Sequence, residues 1–180
     1  GAYGKPHGVI DPLTRTGDLM PPLVPLGPAA PCGLTCLESK ALGAEFYQNY
    51  VSCQFNYHRV QRHSFEPNGA TFKSKDFDLA VSDNPDFHPT DIVEDADGSL
   101  LIVDTGGWYK LCCPTSLIAR PEVLGGIYRL KRKGMAPIAD ARGTKIAWNT
   151  AKNEELTALL ADPRPAVRAR AVGVLRKRGG

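Results

Sequence analysis

No run of about 18 apolar residues occurs in the chain, so no segment is expected to cross a membrane as a helix. A Gly-rich phosphate loop and a G-x-S-x-G nucleophile elbow are also missing, which speaks against nucleotide hydrolysis and serine-esterase chemistry of those kinds. The sequence has no C-x-x-C-H, and so no motif for attaching a c-type haem. Charge of one sign is scarce too: 22 basic residues against 19 acidic ones leave a net +3, too little to predict nucleic-acid binding by the chain as a whole. The opening GAYGKPHGVIDPLTRTG lacks the apolar core of a signal peptide. It also lacks an initiator methionine, and the expectation is a piece of a longer or processed protein.

What is present is a globular composition with 42% apolar residues in 180. Five cysteines stand at Cys32, Cys36, Cys53, Cys112 and Cys113. The first three allow a disulfide in an oxidising compartment or buried free thiols, and the spacing of Cys32 and Cys36 matches neither a zinc knuckle nor a thioredoxin motif. Basic residues cluster at Arg129 to Lys133 and at Arg164 to Arg178, each beside an expected element and most simply a solvated face.

Residues 1–31 are rich in Gly and Pro without periodicity and read as an irregular connection. Strands are expected over Tyr50–Phe55 and His58–Phe65 with Asn56-Tyr57 as the turn, and again near Gly69–Phe72 and Phe77–Ser82. Asp97-Gly98 reads as a two-residue hairpin turn leading into a buried strand from Ser99 to Val103. Tyr50-Val51-Ser52-Cys53 followed by Val60-Gln61-Arg62 repeats in order as Leu100 to Val103 followed by Ile127-Tyr128-Arg129, the second copy carrying an insertion from Thr105 to Gly126. After a linker over 134–150 the period changes. Leu156, Leu159 and Leu160, then Val167, Ala171, Val174 and Leu175, recur at helical spacing around Asp162-Pro163-Arg164-Pro165. This predicts a helix, tight turn, helix pair over 151–180.

Phe87-His88-Pro89-Thr90-Asp91, Asp97-Gly98-Ser99-Leu100 and Asp104, with Gly33-Leu34, Phe46 to Phe65 and Gly69 to Phe72 upstream, carry a resemblance. Their order resembles the repeat of β-propellers related to soluble glucose and sorbosone dehydrogenases, more narrowly the membrane-bound dehydrogenases of Planctomycetes and Verrucomicrobia. The string LLADPRPAVRARAVGVL resembles a HEAT repeat. The resemblance implies a mainly β fold: a partial β-propeller of about two blades over 32–133, followed by a short helical hairpin of HEAT type. Propellers close with about 4 to 8 blades, so further blades and HEAT repeats of a longer chain are the expected partners, with a haem-containing electron acceptor. A periplasmic or membrane-associated location is likewise implied.

In that family a sugar or alcohol is oxidised by pyrroloquinoline quinone with calcium, a histidine taking the substrate proton and a basic side chain steadying the quinone. No position of this chain matches the family's catalytic histidine. Residues of suitable type are His88 and Arg59 for catalysis, Trp108, Tyr109 and Gly106 for the cofactor, and Asp91 and Asp104 for the metal. Each has a structural alternative: a loop histidine at His88, corner-fixing carboxylates at the two aspartates, and packing between blades for the aromatic pair. His58 reads as structural, and His63 and His7 have no supporting context. A non-catalytic propeller and HEAT scaffold for proteins or glycans is the competing expectation.

Overall fold

The computed structural model describes residues 8–9, 11–14, 16–17, 21–107, 120 and 122–179. The chain is mainly β. Strands β1 (Pro31–Cys36), β2 (Tyr50–Gln54), β3 (Arg59–Asn68) and β4 (Thr71–Val81) form one antiparallel sheet in sequence order; β5 (Pro89–Glu94), β6 (Leu100–Asp104) and β7 (Gly126–Leu130) form a second. The repeat noted in the sequence falls on matching places, since β2–β3 and β6–β7 are the second and third strands of their sheets. Neither sheet closes into a barrel among the described residues.

The first hairpin departs slightly from expectation: β2 stops at Gln54, a 3-10 turn takes Phe55–Tyr57, and His58 sits in the left-handed region at φ 51 before β3 begins. The register that an Asn56-Tyr57 turn implies is kept, with Tyr50 opposite His63 and Ser52 opposite Gln61. The third and fourth strands are longer than expected and pair along their whole length across the Gly69-Ala70 turn. In the β5–β6 hairpin the loop is longer than two residues. Asp95 N–H bonds Ser99 O at 2.8 Å, enclosing Ala96, Asp97 and Gly98, and Gly98 takes the left-handed φ of 76 that such three-residue loops require.

Alternation sorts side chains to two faces. Val51, Cys53 and Val60 of the first sheet meet Ile92, Leu100 and Ile102 of the second in one core, joined by Leu37 and Leu42. Burying a Leu or Ile side chain contributes roughly 1.5–3 kcal/mol, so this shared face holds the sheets together. A bulge in β1 drops Gly33 from the ladder between Cys32 and Leu34. Any Cβ at Gly33 would lie 2.5 Å from the Asp91 Cα, and only glycine lets β1 run this close to β5.

The C-terminal elements pack on a separate cluster. Helices α1 (Asn153–Ala158) and α2 (Pro165–Lys177) enclose Leu156, Val167 and Ala171 with Trp148, whose indole N–H donates to Gly143 O at 2.7 Å. Pro165 occupies the first helical position, as expected. Arg164 stands at the N-cap without a side-chain cap bond, its guanidinium instead donating to Asp162 Oδ2 at 2.7 Å and Asp140 O at 3.0 Å. Arg168 meets Glu38 at 3.1 Å, linking α2 to the loop after β1. Among the described residues no helix is long and apolar enough to cross a membrane.

Candidate functional site

Residues singled out in the sequence gather in part at the end of the β5–β6 hairpin. Asp104 Oδ1 accepts the backbone N–H of His88 and of Gly106, each at 2.8 Å, and His88 Nδ1 meets Gly106 O at 2.7 Å. The His88 ring stacks on Phe55 with centroids 4.4 Å apart. His58 lies edge-on to it at 5.3 Å and bonds Phe87 O at 2.7 Å through Nδ1. Main-chain groups thus occupy the Asp104 oxygen that faces His88. Asp91 is on β5 next to buried Ile92, whereas Asp104 is two residues from buried Ile102 on β6, opposite Ile92; the two carboxylates therefore point to opposite faces of the sheet. Arg59 projects elsewhere, to Gln54 Oε1 at 3.1 Å, Asp78 at 3.5 Å and the Tyr57 ring at 5.0 Å. Trp108, Tyr109, Cys112, Cys113 and His7 lie outside the described residues.

The other face of the four-stranded sheet carries a chain of polar groups. Tyr50 pairs with His63 and His63 with Asp76, and Ser52 is two residues along β2 on the same face. His63 Nδ1 stands 2.8 Å from Asp76 Oδ1, and His63 Nε2 stands 2.7 Å from Ser52 Oγ. An ionised carboxylate only accepts, so the ring proton belongs on Nδ1 and a neutral His63 presents Nε2 to the serine hydroxyl as an acceptor. Ser74 Oγ donates to the second Asp76 oxygen at 3.2 Å and fixes the carboxylate. Beside this relay Gln54 bonds Gln61, which donates to Asp78 at 2.7 Å.

Ser52 and His63 are 5% and 3% exposed, yet both border a groove of about 960 Å³ beneath Leu23, Val24 and Leu26. Tyr47, Tyr50, Phe65 and Phe72 also border it, and among the described residues its lining includes no Lys, Arg, Asp or Glu. Asn49 stands on the same wall, and its buried Oδ1 has no hydrogen-bond partner among the described residues. This groove has the size and mixed lining of a small-molecule site.

Three cysteines among the described residues are free. Burial, with Cys32 and Asp91 nearby, pushes the Cys53 thiol up to about 12, which makes it a packing residue and not a nucleophile. Among the described residues no three His, Cys, Asp or Glu side chains stand together as metal ligands. Pyrroloquinoline quinone carries three carboxylates, and the described lining of the groove holds no Lys or Arg to meet them.

Residues 25–119, just over half of the chain, match the model of a family described as a domain of unknown function, DUF7133. The chain belongs to that family. No curated protein and no solved structure matches it. The family match takes in the whole relay and the β5–β6 hairpin, and it stops before the helix pair.

Sequence reasoning passed over His63, Ser52 and Asp76. The signal was present as parity: in YVSCQ and RVQRH the polar residues Ser52, Gln54, Gln61 and His63 fall on one face once the hairpin register is set. Asp76 was hidden because it sits one residue before the strand expected from Phe77.

Proposed function

We propose that this chain forms two consecutive propeller blades and the first helical pair of a HEAT-type array within an enzyme that oxidises a sugar or alcohol. His63 is its proton acceptor. The observation that carries the reading is the Asp76–His63 pair, which holds Nε2 as an acceptor toward a hydroxyl at the wall of an uncharged, aromatic-lined groove. Oxidation of an alcohol removes a proton and a hydride, and a base of this kind meets the first need. Aromatic faces such as those of Tyr47, Tyr50, Phe65 and Phe72 suit the C–H faces of a sugar ring.

Support for the blade reading comes from two antiparallel meanders packed face to face, with first strands β1 and β5 in close approach at Gly33 and Asp91. The quinone and its calcium, which the resemblance implies, belong in this reading to parts of the protein beyond the groove. The poor match of the groove to that cofactor favours one competitor, a non-catalytic scaffold binding a neutral glycan.

Dye reduction by the full-length protein, supplied with pyrroloquinoline quinone and calcium over a panel of sugars and alcohols, is the test. Turnover that His63→Gln abolishes is expected. No turnover, together with saturable glycan binding, would replace the enzyme with the scaffold.

A further inference from the structure

We infer that Ser52 is itself a nucleophile and that the groove hydrolyses small uncharged esters through an acyl–Ser52 intermediate. The inference goes beyond the dehydrogenase reading: it shares the base His63 but concerns a different bond. A serine hydroxyl is a weak nucleophile until a neighbouring base takes its proton, and that base works best when a third group fixes its tautomer. Ser52 Oγ, His63 and Asp76 supply this order of contacts at 2.7 and 2.8 Å. The G-x-S-x-G elbow, whose absence spoke against esterase chemistry, is only one way to present such a serine; here a strand pair does so.

The groove's lining sets the substrate class. With no Lys, Arg, Asp or Glu among its described lining residues it favours an uncharged ester, while Tyr50, Phe65 and Phe72 receive an apolar acyl or aryl group. Gln48 and Asn49 stand on the same wall, and side-chain amides of their kind can donate to a developing oxyanion, although the Asn49 amide N–H donates to Tyr47 O at 3.2 Å in the free protein.

In the reaction Ser52 Oγ attacks the ester carbonyl carbon while its proton passes to His63 Nε2. The tetrahedral adduct collapses, the carbonyl carbon to alkoxy oxygen bond breaks, and the alcohol leaves with that proton. Water then adds to the acyl–Ser52 carbonyl, again giving a proton to His63. Collapse releases the carboxylic acid, and the proton returns to Ser52. No oxidant or cofactor takes part.

An uncharged alkyl fluorophosphonate tests this on the full chain, with intact mass and peptide mapping as readouts and p-nitrophenyl butyrate as the turnover substrate. One adduct on Ser52, formed with loss of fluoride, is expected. Ser52→Ala should give none, and His63→Ala and Asp76→Asn should slow labelling by at least about a hundredfold. Asp76→Asn should also change the pH profile of labelling, which a merely structural carboxylate would leave alone. Folded wild-type protein that takes no adduct, takes it on another residue, or labels equally fast in His63→Ala overturns the inference. Labelling needs no electron acceptor, so the two readings fail separately: an adduct without dye reduction removes only the dehydrogenase, and dye reduction without an adduct removes only the esterase.

Discussion

Among the described residues two buried histidines stand near aspartates, one at the end of the β5–β6 hairpin and one on the outer face of β2 and β3, and they differ in what their carboxylates bond. At His88 the carboxylate of Asp104 accepts main-chain N–H groups, and the ring bonds a carbonyl. That aspartate fastens a corner. At His63 the carboxylate of Asp76 meets the ring itself, and the far nitrogen meets a hydroxyl beside an open groove. Residue types are nearly the same in both places; what differs is whether the carboxylate oxygen nearest the ring accepts backbone N–H groups or meets the imidazole.

The contrast breaks most sharply at Asp76. Asp76→Asn offers Nδ1 an amide that can donate as well as accept, so the ring can turn over its tautomer; ester turnover should fall about a thousandfold or more, a change of about 4 kcal/mol in the barrier. Its melting temperature should move little. Asp104→Ala should do the reverse, leaving the buried N–H groups of His88 and Gly106 unmet and costing about 2–5 kcal/mol of stability. Labelling of Ser52 in whatever protein remains folded should be unchanged, as stopped-flow labelling after a urea titration would check.

A third carboxylate sharpens the comparison through pH. Lys131 at 2.8 Å and then the Ser99 hydroxyl hold the Asp97 carboxyl well below its ordinary value. A pKa lowered on folding stabilises fully above the unfolded value, near ~4, and the contribution disappears as pH falls through the folded one. Asp97 is partly exposed and screened, so Asp97→Asn should cost only about 1 kcal/mol at pH 7. Below about pH 3 that difference should shrink toward zero. The smallest effect belongs to Glu66, whose pair with Lys75 is open to solvent: Glu66→Gln should change stability by less than about 0.5 kcal/mol.

Much of this architecture was legible in the sequence. Alternation and turn residues located β2, β3 and β6, and the change of period at Leu156 located the helix pair with Pro165 at the start of its second helix. The first hairpin's register followed from Asn56-Tyr57, which already placed Tyr50 opposite His63. What failed was the continuity of β4. Lys73, Lys75, Asp76 and Asp78 break any apolar alternation, because over that part of the strand Asp76 and Asp78 meet polar groups of β3, and only Leu79 and Ala80 beyond it reach the core. Without β4 there was no Asp76, and without Asp76 His63 was an isolated histidine. The preference for the β5–β6 mouth rested on residue types alone, and types do not tell where a carboxylate's hydrogen bonds go.

The protonation of the His63 ring tests the central claim most directly. Nitrogen-15 NMR of the full chain at neutral pH reads both ring nitrogens. A proton held on Nδ1, a downfield proton signal there, and the loss of that signal in Asp76→Asn are the predicted result. A ring protonated on Nε2 alone, or one whose state ignores Asp76, would contradict the relay and with it the site.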